Sequence, residues 1–296
     1  LRLSKTNLRN EGGPRVHELS DIAAGSRWRD FDSLTEPQCE AFAKAYKWAS
    51  PFPHLVIDQL FAPIALRALE QEFETAPSDI WHEFRGGLQR KRGTAPGARL
   101  PSAVQEYFNF LNSGPFLRFL SRVTGIDDLI PDPALYGGGM HQVETGGNFE
   151  IHLDFITHPR TRLTNRLVVI TYLNENWVAE DGGALELWEL KPARRGASVL
   201  PEFGRTVIME QSSRAAHGHP SPIREGRHRR SVIAYFYTNG LARGHNGVLK
   251  TVYVSHPGHS QRQRAERYLR QVLPEFAIKG LKFIRSVARA RPPGRP

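Results

Sequence analysis

His152 and Asp154 stand two residues apart in NFEIHLDF, a short run rich in apolar and aromatic residues that reads as a strand. Side chains two apart on a strand leave the same face, so an imidazole and a carboxylate are placed side by side. That is two-thirds of a metal site, and the third ligand must come from another strand. Two His and one carboxylate leave positions open on Fe(II) for a bidentate co-substrate and oxygen, while zinc also accepts His and Asp. The pair is weak on its own: 12 His and 30 acidic residues in 296 give roughly one H-x-[DE] by chance, and the chain has one. Its context supplies the rest. SSRAAHGHPSPIREGRHRRSVIAYFY offers His217 and, twelve residues on, Arg229 at the start of an apolar run. His219 rivals His217 as third ligand, and Arg230 rivals Arg229 as the cation facing inward. Cys39 is the single cysteine, so neither an internal disulfide nor a multi-thiolate site is available.

Positioning such groups requires strands, and residues 134–258 supply them. YGGGMHQVE, NFEIHLDF, RLVVITYLN, GALELWEL, RTVIMEQ and RSVIAYFYT are short runs separated by turns, with no helical pattern between them. They predict an antiparallel barrel or jelly roll, not a βαβ fold. Ahead of them, residues 1–35 are polar and irregular, and residues 36–133 form a helical lead-in. Thr35 is the expected cap and Pro37 lies in the first turn of its first helix. HLVIDQLF reads as a strand, and APIALRALEQEFETA as a helix with Leu66, Leu69 and Phe73 on one face. Residues 101–122 return to helix, divided at Gly114-Pro115. Arg85–Arg99, basic and Gly-rich, is expected to be a loop. Residues 259–296 read as a basic helical tail.

Taken in order, the H-x-D of His152 and Asp154, the strand ending YLNENW at Tyr172–Trp177, GGALELW at Gly182–Trp188, His217, and the R-x-S of Arg229 and Ser231 resemble the 2-oxoglutarate/Fe(II) oxygenases, in their bacterial prolyl-4-hydroxylase-like branch. The resemblance implies an α+β, mainly β protein: a double-stranded β-helix of jelly-roll, cupin-like form, with the N-terminal helices packed on one sheet. It implies a dioxygenase that hydroxylates an unactivated C–H, with Fe(II), 2-oxoglutarate and O2 as cofactors and co-substrates, succinate and CO2 as co-products, and room for ascorbate. Carried over by residue, His152, Asp154 and His217 hold iron. Arg229 grips the distal carboxylate of 2-oxoglutarate, Tyr172 adds its hydroxyl and Ser231 a further contact. The family's second tyrosine, on the strand before the metal, is missing from HQVE, and Gln142 is the expected substitute. His158, beside Pro159, is expected to turn toward solvent or substrate. The implied substrate is a prolyl or other amino-acid residue, free or in a peptide, or a small natural-product intermediate.

The net charge of +10 raises other readings. Ten Lys/Arg against two acids in 259–296 place most of that excess in the tail, which could meet an anionic membrane or partner. A nucleic-acid demethylase of the same superfamily is suggested by the charge and by Arg224 and Arg230 six apart, although no DNA-binding motif or base-stacking lid is visible. The N-terminus lacks an apolar signal core and no run is long enough to span a bilayer, so a cytoplasmic protein is expected.

Overall fold

The computed structural model describes residues 15–19, 27–86, 88–240, 250–255, 258–261 and 264–265. The basic tail therefore lies almost wholly outside the described residues. In chain order the elements are β1 (Val16–Glu18), α1 (Glu36–Lys47), β2 (His54–Asp58), α2 (Pro63–Thr75), β3 (Trp81–Gly86), β4 (Gln89–Thr94), α3 (Ser102–Leu111), α4 (Gly114–Thr124), β5 (Ile130–Pro131), β6 (Gly139–Val143), β7 (Phe149–Leu153), β8 (Thr164–Tyr172), β9 (Leu185–Leu190), β10 (Ala193–Val199), β11 (Thr206–Glu210), β12 (Ala216–His219), β13 (Arg229–Thr238) and β14 (Val252–Tyr253).

Local chemistry sets the helix ends. The Gln38 side chain accepts the Thr35 N–H at 2.9 Å, satisfying a donor ahead of α1. Pro37 needs no hydrogen bond in that first turn. α4 stops where Gly125 adopts φ 68°, a left-handed cap that glycine reaches without steric strain.

The strands form one curled sheet with two arms. One runs β2-β11-β8-β13-β6 and the other β7-β12-β9-β10, with β4 bridging β6 and β7. Neighbours within the arms are antiparallel, and the whole is a double-stranded β-helix with helices added. β8 and β13 explain why the helices are needed. Leu167, Val169, Val232, Ala234 and Phe236 point outward into a core shared with Phe116, Phe119 and Leu66 of the helices. Val168, Ile170, Tyr172, Tyr235 and Tyr237 point into the barrel. Both faces of these strands are therefore buried. The two layers are tied by a polar chain as well, since the buried Tyr107 hydroxyl donates to Thr171 Oγ1 at 2.8 Å, and Thr171 Oγ1 meets Thr206 Oγ1 at 2.9 Å.

One expectation is overturned here. Arg85–Arg99 is not a loop over its first half: β3 and β4 form a hairpin, in register from Trp81↔Thr94 to Gly86↔Gln89. Its polar sequence hid it: β4 takes its backbone partners from β6 and β7, Trp81 packs on the helix side against Phe73, and His82, Phe84 and Lys91 line the barrel mouth, so no continuous apolar stripe marks the strands. No helix among the described residues is long and apolar enough to cross a membrane.

Candidate metal centre and co-substrate pocket

β7 and β12 pair antiparallel with His152 opposite His217. Each imidazole is fixed by its own strand: His152 Nδ1 donates to the Glu150 carbonyl at 2.7 Å, and His217 Nδ1 to the Ala215 carbonyl at 2.9 Å. A carbonyl can only accept, so each neutral ring presents Nε2 as its electron-pair donor, the arrangement that orients metal-binding histidines. The two Nε2 atoms converge on Asp154, at 3.4 and 3.5 Å from its two oxygens. Asp154 lies one residue past the end of β7, and the Tyr235 hydroxyl donates to its Oδ2 at 2.9 Å. One donor atom from each of the three buried residues falls within 4.8 Å of the others.

Electrostatics keep Asp154 and His217 in their ligating forms. Burial would raise the Asp154 carboxyl, but His217, His152 and the Tyr235 hydroxyl hold it well below the usual carboxylate range. Burial and the neighbouring His152 push His217 down to about 4, so its ring is neutral at pH 7. His219 is also buried and its pKa is lowered, first by burial and then by Arg229 and Lys91. It stands outside the cluster, however. A register shift between His217 and His219 sets it opposite Phe149, with the rings edge-on at 6.0 Å.

Gly218 makes the close approach of β12 to β7 feasible. A Cβ there would lie 2.7 Å from the Glu150 carbonyl oxygen and 2.8 Å from that of Phe149, both backbone atoms that cannot swing away. Gly218→Ala is expected to part the strands and weaken Mn(II) affinity by about tenfold or more, the scale of a lost supporting contact, as read by calorimetric titration. Unchanged affinity would show that the imidazoles do not depend on this spacing.

Behind the triad the cavity ends on Arg229. Its guanidinium is buried, with Nε donating to the Gly183 carbonyl at 2.8 Å and Nη2 to the Tyr172 hydroxyl at 3.3 Å. No carboxylate lies within 4.0 Å of it among the described residues. An uncompensated buried cation costs several kcal/mol, roughly, and asks for an anion. Ser231 Oγ, His141 Nδ1 and His219 Nδ1 are buried without hydrogen-bond partners and line this same cavity with Arg229. A small dicarboxylate spanning from the triad to Arg229 fits these orphaned groups. Burial raises the Tyr172 hydroxyl, against the pull of Arg229, which keeps it a donor.

Arg230 faces the other way. It pairs with Glu74 of α2, and its Nε donates to Gln142 Oε1 at 3.2 Å. Gln142 is thereby corrected as a co-substrate contact. Arg230↔Gln142 and Ser231↔His141 are register pairs, so Gln142 shares the helix-side face and His141 takes the inner one. His158 is corrected too: it is buried, its Nδ1 accepts the Arg160 and Thr161 N–H groups at 3.1 and 3.0 Å, and its ring packs edge-on against Tyr237. It ties down the turn after β7.

Three residues at the site went unread in the sequence. Tyr235 shares the inward phase of Arg229 and Ser231 on β13, and that alternation was the available signal. His141 was masked by the choice of Gln142. Lys91 lies within Arg85–Arg99, where the sequence suggests a loop. It sits on β4 with Nζ 4.0 Å from the Phe149 ring centroid. Burial pushes its ammonium down to about 8, against the attraction of Asp154, and it remains cationic at neutral pH.

From the triad the space continues outward into a cavity of about 500 Å³ lined by Phe84, Lys91, Tyr136, Phe149, Phe155 and Tyr235 among others, with Asp154 at its floor. A larger groove of about 790 Å³ lies elsewhere, between α1, β2 and β10, and contains none of the triad.

Residues 138–237 match the 2OG-Fe(II) oxygenase superfamily. No curated protein matches the chain. Among solved structures, a Pseudomonas putida prolyl-4-hydroxylase aligns with a TM-score of 0.52 at 18% identity, covering 68% of this chain and 100% of that one. A prolyl hydroxylase from Trichoplax adhaerens, in complex with a hypoxia inducible factor oxygen degradation domain peptide fragment, aligns with a TM-score of 0.51 at 16% identity, covering 70% and 95%. The matched stretch, residues 138–237, holds the triad and Arg229, so its likeness to that superfamily and its geometry both point to an enzyme that uses Fe(II) and 2-oxoglutarate. At these identities the likeness is one of fold: the chain shares the architecture of these two hydroxylases.

Proposed function

We propose that this oxygenase hydroxylates an unactivated C–H of an amino-acid or peptide substrate, a prolyl residue included, or of a small natural-product intermediate. The observation that carries the reading is the placement of the triad between two connected cavities, one closed by Arg229 and one open to solvent. Bound Fe(II), 2-oxoglutarate and O2 supply the oxidant, with succinate and CO2 as co-products. His152, Asp154 and His217 hold the metal. Arg229 holds the distal carboxylate of 2-oxoglutarate in a fork-to-carboxylate contact, Tyr172 orients the guanidinium and donates its hydroxyl, and Ser231 donates from the opposite strand. Tyr235 keeps Asp154 in one rotamer. The apolar barrel wall, Val168, Ile170 and Leu185, excludes water from between the two ends of the co-substrate. The nucleic-acid reading gains nothing here, since Arg224 is paired with Asp181 and Arg230 with Glu74, both outside the cavity.

The test is an anaerobic titration of Fe(II) and 2-oxoglutarate. A visible charge-transfer band is expected only with both present, followed in air by succinate release in a substrate screen. Absence of the band with both bound overturns the reading in favour of a zinc or degenerate site.

A further inference from the structure

Lys91 is a second cation at the triad, and the co-substrate leaves it without a counter-charge. It lines the inner cavity together with Arg229 and His152, and also the outer cavity. It belongs to the hairpin that crosses the barrel mouth, so it stands where the two spaces meet. Its Nζ lies over Phe149 and faces Phe84 at 5.5 Å, and no carboxylate is within 4.0 Å among the described residues. The charges around it are easily stated. As metal ligands the two imidazoles are neutral, Asp154 carries one negative charge and Arg229 one positive. A divalent metal and a doubly charged 2-oxoglutarate bring this set to zero. Lys91 then leaves one positive charge in a site that substrate closes off from water, where an unpaired charge is expensive. Among the described residues Asp154 is the sole acidic one lining the outer cavity, and it is committed to the metal. The remaining walls carry five aromatic rings, Phe84, Tyr136, Phe149, Phe155 and Tyr235, and the other lysine of the lining, Lys250, is exposed and keeps its charge in water.

We infer that Lys91 binds a carboxylate of the substrate, and that this enzyme acts on a monoanionic acid whose apolar or ring-bearing body packs on those aromatic walls. The inference rests on the oxygenase reading and narrows it. An N-acyl amino acid or the C-terminal residue of a peptide satisfies Lys91, whereas a residue internal to a peptide offers it only a neutral carbonyl.

The experiment uses the full-length protein loaded with Mn(II) and 2-oxoglutarate without turnover. Two probe pairs are compared, 3-phenylpropanoate with its amide and N-acetylproline with its amide. Mn(II) paramagnetic relaxation of the probe protons reports binding beside the metal, and quenching of intrinsic fluorescence reports 2-oxoglutarate affinity. In the wild type at least one acid is expected to bind about tenfold more tightly than its amide, the discrimination of one well-placed charge-assisted hydrogen bond. Lys91→Gln is expected to abolish that preference and leave 2-oxoglutarate affinity within about threefold, and Lys91→Arg to restore it. If acid and amide behave alike in the wild type, or Lys91→Gln keeps the preference, the inference fails while the oxygenase reading stands. If Lys91→Gln weakens 2-oxoglutarate as severely as loss of Arg229, Lys91 serves the co-substrate and the inference is again overturned. Failure of the wild type to bind Mn(II) or 2-oxoglutarate overturns the oxygenase reading and this inference with it.

Discussion

Asp154→Ala is expected to reduce metal affinity by roughly 100-fold or more, beyond the 10–100-fold typical of losing a supporting contact, and to bring succinate formation to background. The carboxylate is the only anion in the triad, and both imidazole Nε2 atoms are aimed at the space it shares. The loss should not come from unfolding. In the metal-free protein Asp154 is a buried negative charge, and burying a charge costs energy that its neighbours must offset. His217, His152 and the Tyr235 hydroxyl more than offset it, since they hold the carboxyl below its usual range, so its removal is expected to lower the metal-free Tm somewhat without unfolding the protein, while the rise in Tm produced by Mn(II) disappears, because a ligand stabilises only the state that binds it. Thermal melts with and without Mn(II), read beside succinate release, check both halves. Substantial turnover in the variant would remove Asp154 from the site.

Arg229→Gln is expected to have the next largest effect. Truncating one partner of a buried, hydrogen-bonded charge pair costs about 2–5 kcal/mol, which raises the 2-oxoglutarate concentration for half-saturation by a factor between about 30 and a few thousand. Arg230→Gln, one residue away, is expected to change it less than about twofold, since its guanidinium lies on the helix side against Glu74 and Gln142. The pair is its own control: equal effects would mean that β13 is phased the other way. Steady-state kinetics over a wide 2-oxoglutarate range decide it.

That contrast also shows what the sequence could reveal. The start of the first helix was readable because Thr35 and Pro37 act locally, and the H-x-D spacing was readable because a strand has a period of two. The direction of β13 was not, because both its faces are buried, one by the barrel and one by helices, so hydrophobic alternation cannot name the inside. The same ambiguity of phase exchanged Gln142 for His141 one strand away. His217 and His219 could not be separated by spacing, since the register shift between them belongs to β12 and its partner together. His158 beside Pro159 suggested an outward turn, but Tyr136, Tyr237 and Asp132, distant in sequence, enclose it. Lys91 was hidden most completely: a polar hairpin over a cavity has no apolar stripe, so neither its strands nor its inward residue leave a pattern.

The bridging position of that hairpin sets a gradient of local stability across the site. Among the described residues β3 pairs with β4 alone, and β4 pairs with β7 only at Gln89↔Phe149 and with β6 at Arg92 and Gly93, whereas β8 and β13 have partners on both sides and apolar layers on both faces. Amide protons at the barrel mouth are therefore shielded by far less structure than those behind Tyr172 and Arg229, and local opening free energies should fall from floor to mouth. The enzyme can unseal its entrance through fluctuations that leave its metal ligands folded.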